Sequence, residues 1–351
     1  MKINLLLISI LAVLFTACSK SEDATPTGKY SSGVFISNEG PFQTGTGTIS
    51  HFNRDTKMVE NDIFQAVNGR PLGNIVQSIE IHNDKAYMVV NNAKKVEVAQ
   101  AWDFKSVGVI QDLEMPRYFL GINDKKGYIS QWGAGGVNGA IKVVDLQTNT
   151  VTKTINVGKG AEKMVTIDNK VFVTCGGGFD NENLLFVIDI QQDAVSATIA
   201  VPDNSNSIVV DSNNKLWVAC RGRSQWNGMT TVTVSPAQLI RINPVNNQIE
   251  QRFTFGRHGV SNLVINQSKN TLFYTFNGQV FTQNINDNAL NTTPLIRRSF
   301  YGLGFDTQTN LLYAADAGNF SSNGKVMRYN PNGSALDSMI VGIAPSNFFF
   351  R

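Results

Sequence analysis

Hydrophobic and polar positions alternate along short segments of this chain, and the segments recur as one repeated pattern. An aromatic-centred run is followed by a loop and then by a run in which Val or Ile alternates with other residues. Lys170–Cys175 and then residues 185–190 form one copy, and residues 215–220 begin another. Alternation with a period of two predicts half-buried antiparallel strands. No stretch after residue 20 has the spacing of an amphipathic helix.

The aromatic residue at the centre of each first run measures the repeat. It falls at seven positions: Phe35, Tyr87, Tyr128, Phe172, Trp217, Phe273 and Tyr313. Periods of about 40–50 residues with several strands each are typical of propeller blades. We therefore predict an all-β fold, a seven-bladed β-propeller that forms one domain over residues 33–351. A β-solenoid and a two-sheet sandwich are the alternatives, but a sandwich would not repeat a four-strand pattern seven times.

Each blade is predicted to hold four strands. The four strands of the third blade are predicted at residues 118–122, 127–131, 140–145 and 150–155. Where the interval between two repeated aromatic residues is longer, we interpret the extra residues as an insertion between strands. The last residues resemble the first strand of a blade, whereas residues 33–38 resemble a second strand that lacks its first. Pairing residues 348–350 with residues 34–37 would close the ring and remove two exposed edges.

The first residues have the pattern of an export signal. Lys2 precedes an apolar run, and small residues precede Cys18. We expect residues 1–17 to be a lipoprotein signal peptide, Cys18 to be lipidated, and residues 18–32 to be a flexible tether. Residues 19–23 resemble the surface-export signal of Bacteroidetes lipoproteins, which implies the outward face of the outer membrane. A plain secretory signal with an incidental cysteine, and an ordinary polar tether, are the alternatives.

Composition and residue spacing favour a binding protein over an enzyme. The formal charge of +3 is too small and dispersed for a nucleic-acid protein. The three histidines have no metal-ligand spacing, and no nucleophile motif accompanies a matching His and Asp. No cofactor is expected, and the question of whether the channel binds a metal ion is left open.

Cys175 and Cys220 occupy equivalent positions in neighbouring blades, so we expect buried free thiols rather than a disulfide.

The loops after the second strands carry most of the candidate binding residues, and the segments between blades add Arg117 and Tyr301. In propellers these loops share a face with the connections between blades, and here most combine glycine with an aromatic residue. Glycine lets backbone approach a ligand, and aromatic rings supply rigid apolar area. The alternative is that the rings plug the channel and the glycines make turns. The predicted ligand-binding residues are Asn38, Phe42, Arg117, Trp132, Phe179, Arg221, Arg223, Trp226, Tyr301 and Phe320.

Two resemblances refine these expectations. Residues 141–145 and 150–158, with residues 172–175, resemble the YVTN repeat of YncE-like seven-bladed propellers. Residues 35–40, 47–50, 81–87, 95–98 and 116–118 resemble BtuG-type surface lipoproteins of Bacteroidetes. The second resemblance implies capture of cobalamin and its transfer to a TonB-dependent outer-membrane transporter. It spans mainly the first three blades, and residues 98–103 depart from it.

Three functions follow as hypotheses. The first is a non-enzymatic, lipid-anchored surface protein that binds a corrinoid on the loop face and feeds a TonB-dependent transporter. The second is a surface module that binds glycan or another envelope protein without a transport role. The third is an enzyme of the lactonase or quinoprotein type.

Overall fold

The computed structural model describes residues 27–42 and 44–351, so the predicted signal peptide and Cys18 lie outside the described residues. Seven small antiparallel sheets follow one another along the chain, and we number them as blades 1–7. In the part of the chain that the structure describes, none of the helices has the length and apolarity to cross a membrane.

Blades 1–4 have four strands each. Blade 1 consists of β1 (Val34–Asn38), β2 (Thr48–Phe52), β3 (Val59–Glu60) and the last strand of the chain, β29 (Pro345–Phe350). Blade 2 consists of β4 (Val76–His82), β5 (Lys85–Val90), β6 (Lys95–Gln100) and β7 (Ser106–Ile110). Blade 3 consists of β8 (Pro116–Gly121), β9 (Lys126–Gln131), β10 (Ala140–Asp145) and β11 (Thr150–Asn156). Blade 4 consists of β12 (Ala161–Ile167), β13 (Lys170–Cys175), β14 (Leu184–Asp189) and β15 (Ala194–Ala200).

Blades 5–7 follow the same order with two departures. Blade 5 consists of β16 (Ser205–Val210), β17 (Leu216–Cys220), β20 (Gln238–Asn243) and β21 (Gln248–Thr254), and its insertion is a hairpin of β18 (Arg223–Trp226) and β19 (Thr231–Ser235). Blade 6 consists of β22 (Ser261–Ile265), β23 (Thr271–Phe276) and β24 (Gln279–Asn284). Blade 7 consists of β25 (Gly302–Asp306), β26 (Leu311–Asp316), β27 (Asn323–Tyr329) and β28 (Ala335–Ile343).

Blade 6 corrects the expectation of four strands in every blade. Its outer edge carries only an isolated bridge between Val280 and Ile296. Pro294 lies beside this bridge and has no N–H to donate to a ladder. Side chains replace the missing ladder bonds, because the Asn291 Nδ2 donates to the Thr282 carbonyl at 3.1 Å. A second correction is the helix α1 (Ile63–Asn68), which buries Ile63 and Phe64 in the long connection before blade 2.

The two ends of the chain close the ring as predicted. Val34 pairs with Phe350 and Ile36 with Phe348 in an antiparallel register. The inner strands β4, β8, β12, β16, β22, β25 and β29 each contact the inner strands of both neighbouring blades, and β29 meets β4 and β25. The inner strands therefore surround one central channel with no unpaired seam.

The repeated aromatic residues hold neighbouring blades together. All seven lie on the second strand of their blade, and none is more than 1% exposed. Burying one such side chain contributes about 1.5–3 kcal/mol to the stability of the fold.

Cys175 and Cys220 are buried free thiols, and they belong to different apolar clusters, one between blades 3 and 4 and the other between blades 4 and 5. A whole blade therefore separates the two sulfur atoms.

Candidate functional site

The inner strands begin with a shared backbone feature that places polar side chains at one end of the channel. Five residues with positive φ, each two positions before a polar residue, start these strands: Ile75, Met115, Gly160, Asn204 and Ala344. Each is followed by a β-bulge in the pairing of the inner strand with its neighbour. For a β-branched residue such as Ile75, a φ of 60° is strained. Such strain persists where the surrounding structure requires one particular orientation.

Hydrogen bonds join polar residues at this end of the channel from blade to blade in two runs, one over blades 2–4 and one from blade 5 through blades 6 and 7 to blade 1. Arg117 donates to Gln77 and to Glu162. Asn206 donates to the Val260 carbonyl at 2.9 Å, and Asn262 donates to the Tyr301 carbonyl at 3.1 Å. The Tyr301 hydroxyl then donates to Glu39 Oε2 at 3.0 Å. We call these seven residues the mouth ring: Glu39, Gln77, Arg117, Glu162, Asn206, Asn262 and Tyr301.

Arg117 is the most densely bonded member of the mouth ring. Its Nε lies 3.2 Å from Glu162 Oε2, and its guanidinium lies 4.4 Å from the centre of the Trp132 ring. Trp132 in turn donates from Nε1 to Glu162 Oε1 at 2.9 Å. Burial acts to lower the pKa of Arg117, but the charge of Glu162 and its hydrogen bond outweigh burial, and the pKa is raised. This group is therefore a fixed cation that holds an indole ring in one orientation.

Glu39 and Tyr301 form the opposite part of the mouth ring. Burial raises the pKa of the Glu39 carboxyl, and the hydrogen bond from Tyr301 and the charge of Arg117 oppose that rise. The pKa of Tyr301 is raised by burial and then by the negative charge of Glu39. Glu39 and Arg117 therefore interact across the channel end, although they belong to blades 1 and 3.

Aromatic rings flank the mouth ring on two sides. Trp132 and Phe179 meet edge to face at 5.5 Å, and Tyr301 and Phe320 meet edge to face at 5.0 Å. Phe179 is 70% exposed, and Phe320 is 45% exposed. Glycine at position 136 allows this arrangement, because a Cβ there would lie 2.4 Å from the Phe179 ring. Each pair therefore offers an apolar ring surface to solvent beside the polar centre.

The remaining predicted residues lie in the loops around this centre, with one exception. Phe42 is 70% exposed and Trp226 is 63% exposed. Arg221 and Arg223 are exposed at the base of the β18–β19 hairpin. Asn38 is different because it is fully buried, and its Nδ2 donates to Ser50 Oγ at 2.9 Å. Asn38 therefore bonds inside blade 1 and has no open surface to offer a ligand.

Sequence reasoning did not select Glu39, Gln77 or Glu162 as site residues. Each is a single polar residue beside an apolar strand, and the alternating pattern of that strand does not mark the residue as part of a site. The available signal was positional, since Gln77, Arg117 and Glu162 occupy the same place in blades 2, 3 and 4. Aligning the starts of the inner strands, rather than their aromatic centres, would have found them.

The chemistry available at this end of the channel is recognition through fixed charges and aromatic faces. The carboxylates of Glu39 and Glu162 are engaged by Tyr301 and Arg117. Across residues 27–42 and 44–351, no group of three or more His, Cys, Asp or Glu side chains is placed to hold a metal ion. Hydrogen-bond donors and acceptors of fixed orientation therefore lie at this end of the channel, beside exposed aromatic rings.

Fold and site together define a class of protein, a seven-bladed β-propeller with a polar channel mouth flanked by aromatic pairs. Residues 32–343 match the family described as "Domain of unknown function (DUF5074)", and the chain belongs to that family. No curated protein matches the chain.

Solved structures share the fold at low identity. A quinonprotein alcohol dehydrogenase-like protein from Bacteroides thetaiotaomicron VPI-5482 is 16% identical with a TM-score of 0.64, over 92% of this chain and 78% of that chain. Hydrazine synthase from Kuenenia stuttgartiensis is 14% identical with a TM-score of 0.59, over 77% of this chain and 88% of that chain. At these identities the likeness concerns the fold alone.

Proposed function

We propose that this protein is a non-enzymatic binding protein that holds a large, flat ligand over the mouth ring, and that the ligand is a corrinoid. The BtuG-type resemblance in the first three blades suggests this ligand. From the signal pattern before Cys18 and the resemblance of residues 19–23 to a surface-export signal, we further propose that the protein is lipid-anchored through Cys18 on the outward face of the outer membrane. It passes its ligand to a TonB-dependent transporter.

One observation carries the ligand-binding part of this proposal. Two aromatic pairs, Trp132 with Phe179 and Tyr301 with Phe320, flank one polar centre. Aromatic side chains bury a large area at low conformational cost, and they are enriched where binding energy concentrates. A ligand that reaches both pairs must span the channel mouth. It must also carry polar groups at its centre or rim to bond the mouth ring.

A corrinoid meets these requirements in chemical terms. Its macrocycle is broad and largely apolar, its amide side chains both donate and accept hydrogen bonds, and its nucleotide portion carries a phosphate. Arg221 and Arg223 are exposed beside the mouth, and guanidinium groups bind phosphate in bidentate fashion. Glu39, whose pKa is raised by burial, presents a carboxyl group to which an amide N–H could donate.

Calorimetric titration of cyanocobalamin into a soluble chain beginning at residue 28 tests the ligand. We expect binding, with Trp132→Ala and Tyr301→Ala each weakening it about tenfold or more. Val245→Ala is the matched control, because Val245 is 83% exposed in the β20–β21 turn at the other end of blade 5. Absence of heat at about micromolar protein would reject the corrinoid. Normal binding by a variant with alanine at positions 221, 223 and 226 would exclude the hairpin from the site.

The anchor and the transporter need separate measurements. Radiolabelled palmitate should be incorporated into the full chain and lost in Cys18→Ala, and protease added to intact cells should degrade the wild-type protein. Affinity purification from outer membranes should recover a TonB-dependent transporter. Recovery of the protein only from the soluble fraction would contradict the anchor and leave ligand binding to be judged by calorimetry.

A surface interaction module is the second candidate, and the β18–β19 hairpin favours it. The hairpin projects from blade 5 with every residue of β18 exposed, and it presents Trp226, Met229, Val232 and Val234 to solvent. Exposed apolar side chains of this kind mark sites of protein or glycan contact. A glycan array and the outer-membrane purification distinguish this module from a corrinoid carrier.

A further inference from the structure

A cavity lies inside the channel, one residue deeper than the mouth ring. It has a volume of about 300 Å³. Ser78, Tyr118 and Lys163 line it, and they directly follow Gln77, Arg117 and Glu162 in the chain. This volume is at the lower end of the range for small-molecule sites, which is about 300–1,000 Å³. The cavity is therefore too small for a macrocycle but large enough for a single small metabolite.

One carboxyl group interrupts an otherwise uncharged layer of inner-strand residues. The inner-strand residues that pair with the seven repeated aromatic residues define this layer: Glu80, Leu120, Val165, Val209, Val264, Gly304 and Phe349. Glu80 is the only ionisable residue among them. Within the described chain, its carboxyl group has neither a hydrogen bond nor a direct ion pair, although it feels the charge of Lys163.

The ammonium group of Lys163 lines the same cavity and also lacks a carboxylate in contact with it among the described residues. It lies 5.5 Å from the centre of the Tyr118 ring. Burial lowers the pKa of Lys163, while the charges of Glu162 and Glu80 act in the opposite direction. Burial likewise raises the pKa of Glu80 to about 8, against the charge of Lys163. A carboxyl group that keeps its proton near neutral pH and an ammonium group thus share one cavity without contacting each other, and they carry opposite charges once Glu80 ionises.

We propose that this cavity binds a small zwitterion, an α-amino acid with an apolar side chain. Glu80 releases its proton to solvent on binding, the ligand ammonium bonds the resulting carboxylate, and the ligand carboxylate bonds Lys163. Leu120, Ile208 and Phe348 line the cavity and receive the apolar side chain, while Ser78 and Asn347 supply further hydrogen-bonding groups.

A zwitterion suits this site better than a simple ion. A buried charge without a contacting partner is costly, and a close counter-charge recovers much of that cost. A simple cation or anion would supply a partner for only one of the two groups. An α-amino acid supplies both partners in one neutral molecule, and charge-assisted hydrogen bonds to each are stronger than neutral ones. The apolar lining then selects among amino acids by side chain.

Thermal-shift and calorimetric titrations of the purified full chain with L-leucine, L-phenylalanine and L-methionine test this site. We expect at least one of them to bind and to raise the melting temperature. For that amino acid, the N-acetyl derivative removes the ammonium charge, and the amide removes the carboxylate. Each should bind about tenfold or more weakly than the parent. These analogues test the wild-type protein and do not depend on the folding of any variant.

Two substitutions test the named side chains. Glu80→Gln and Lys163→Met should each weaken binding about tenfold or more. Glu250→Gln should leave it unchanged, because Glu250 lies on the outer strand β21 and pairs with Lys215. The proposal is overturned if none of the three amino acids binds at about 10 mM, or if the N-acetyl derivative and the parent bind equally. Unchanged affinity in both channel variants would also overturn it. The outcome is independent of corrinoid binding, which the mouth residues determine.

Discussion

Replacing Glu80 by glutamine isolates the cost of keeping an ionisable carboxyl group inside the channel. Burial raises the pKa of Glu80 from 4.5 to about 8 in the folded protein. Between these two pH values, the folded state holds a proton that the unfolded state has released. Folding stability should therefore fall as the pH rises through this interval, because the folded state binds more protons than the unfolded state. Below about pH 4, both states are protonated and this contribution disappears.

The magnitude follows from the same shift. Each pH unit between the two pKa values contributes about 1.4 kcal/mol, so the contribution at pH 7 is about 3 kcal/mol. Glu80 is only partly buried, so solvent screening reduces this figure, and we expect about 2–3 kcal/mol. Glutamine has nearly the same shape and carries no proton equilibrium. Glu80→Gln should therefore match the wild type near pH 4 and exceed its stability by about 2–3 kcal/mol at pH 7.

Urea unfolding followed by tryptophan fluorescence, at unit steps from pH 4 to pH 8, measures the effect. Glu250→Gln is the matched control with the opposite expectation, because the hydrogen bond from Lys215 lowers the pKa of Glu250. That substitution should cause no gain in stability at any pH. A stability difference between Glu80→Gln and the wild type that stays constant from pH 4.5 to pH 8 would refute the assignment of a raised pKa to Glu80.

Three further predictions concern the ring closure, the mouth and the thiols. Phe350→Ala should destabilise the protein by about 2–4 kcal/mol in urea unfolding, because Phe350 pairs with Val34 where the two chain ends meet and packs on Tyr313 of blade 7. Met58→Ala is the control, and it should change stability by less than about 0.5 kcal/mol because Met58 is exposed. Equal effects of the two substitutions would contradict closure by β29. Arg117→Ala should lower the stability measured by urea unfolding by about 2–4 kcal/mol. Arg117→Lys should recover only part of that loss, because lysine cannot bond Gln77 and Glu162 at the same time, as the guanidinium does. Full recovery by lysine would show that charge alone matters. Burial raises the pKa of both Cys175 and Cys220, so neither thiol should react with iodoacetamide in the folded protein. Peptide mapping should find both cysteines unmodified before unfolding and modified after it. Rapid labelling of the native protein would contradict their burial.

Much of the fold could be predicted because its information is local. Alternation with a period of two, together with the repeated aromatic residue on one strand of each blade, placed the strands of blade 3 within a few residues of their observed bounds. The count of seven also predicted the closure, since an unmatched strand at each end has one partner available. Blade 6 could not be predicted this way, because Pro294 interrupts its outer edge and side-chain amides complete it.

The candidate site could be predicted only in part. The composition of the loops pointed to Trp132, Phe179 and Phe320, and that of the segments between blades pointed to Tyr301. These four residues form the two aromatic pairs. Composition also pointed to Asn38, which the structure buries among the side chains of blade 1. A polar residue at the end of a strand can turn outward to the loops or inward to its own sheet, and the sequence pattern is the same in both cases.

The amino-acid sequence by itself determined the number of blades and most of their strands, because these depend on a pattern that repeats every 40–56 residues. It also determined how the ring closes, because the repeat leaves one unmatched strand at each end of the chain. Only the tertiary structure decided which polar residues meet at the channel. Tyr301 and Glu39 are 262 positions apart and share a hydrogen bond because the ring returns to its start. Glu80 and Lys163 face one cavity for the same reason, since the channel gathers one strand from every blade. Contacts of this kind depend on the arrangement of the whole ring, so no pattern within a single strand predicts them.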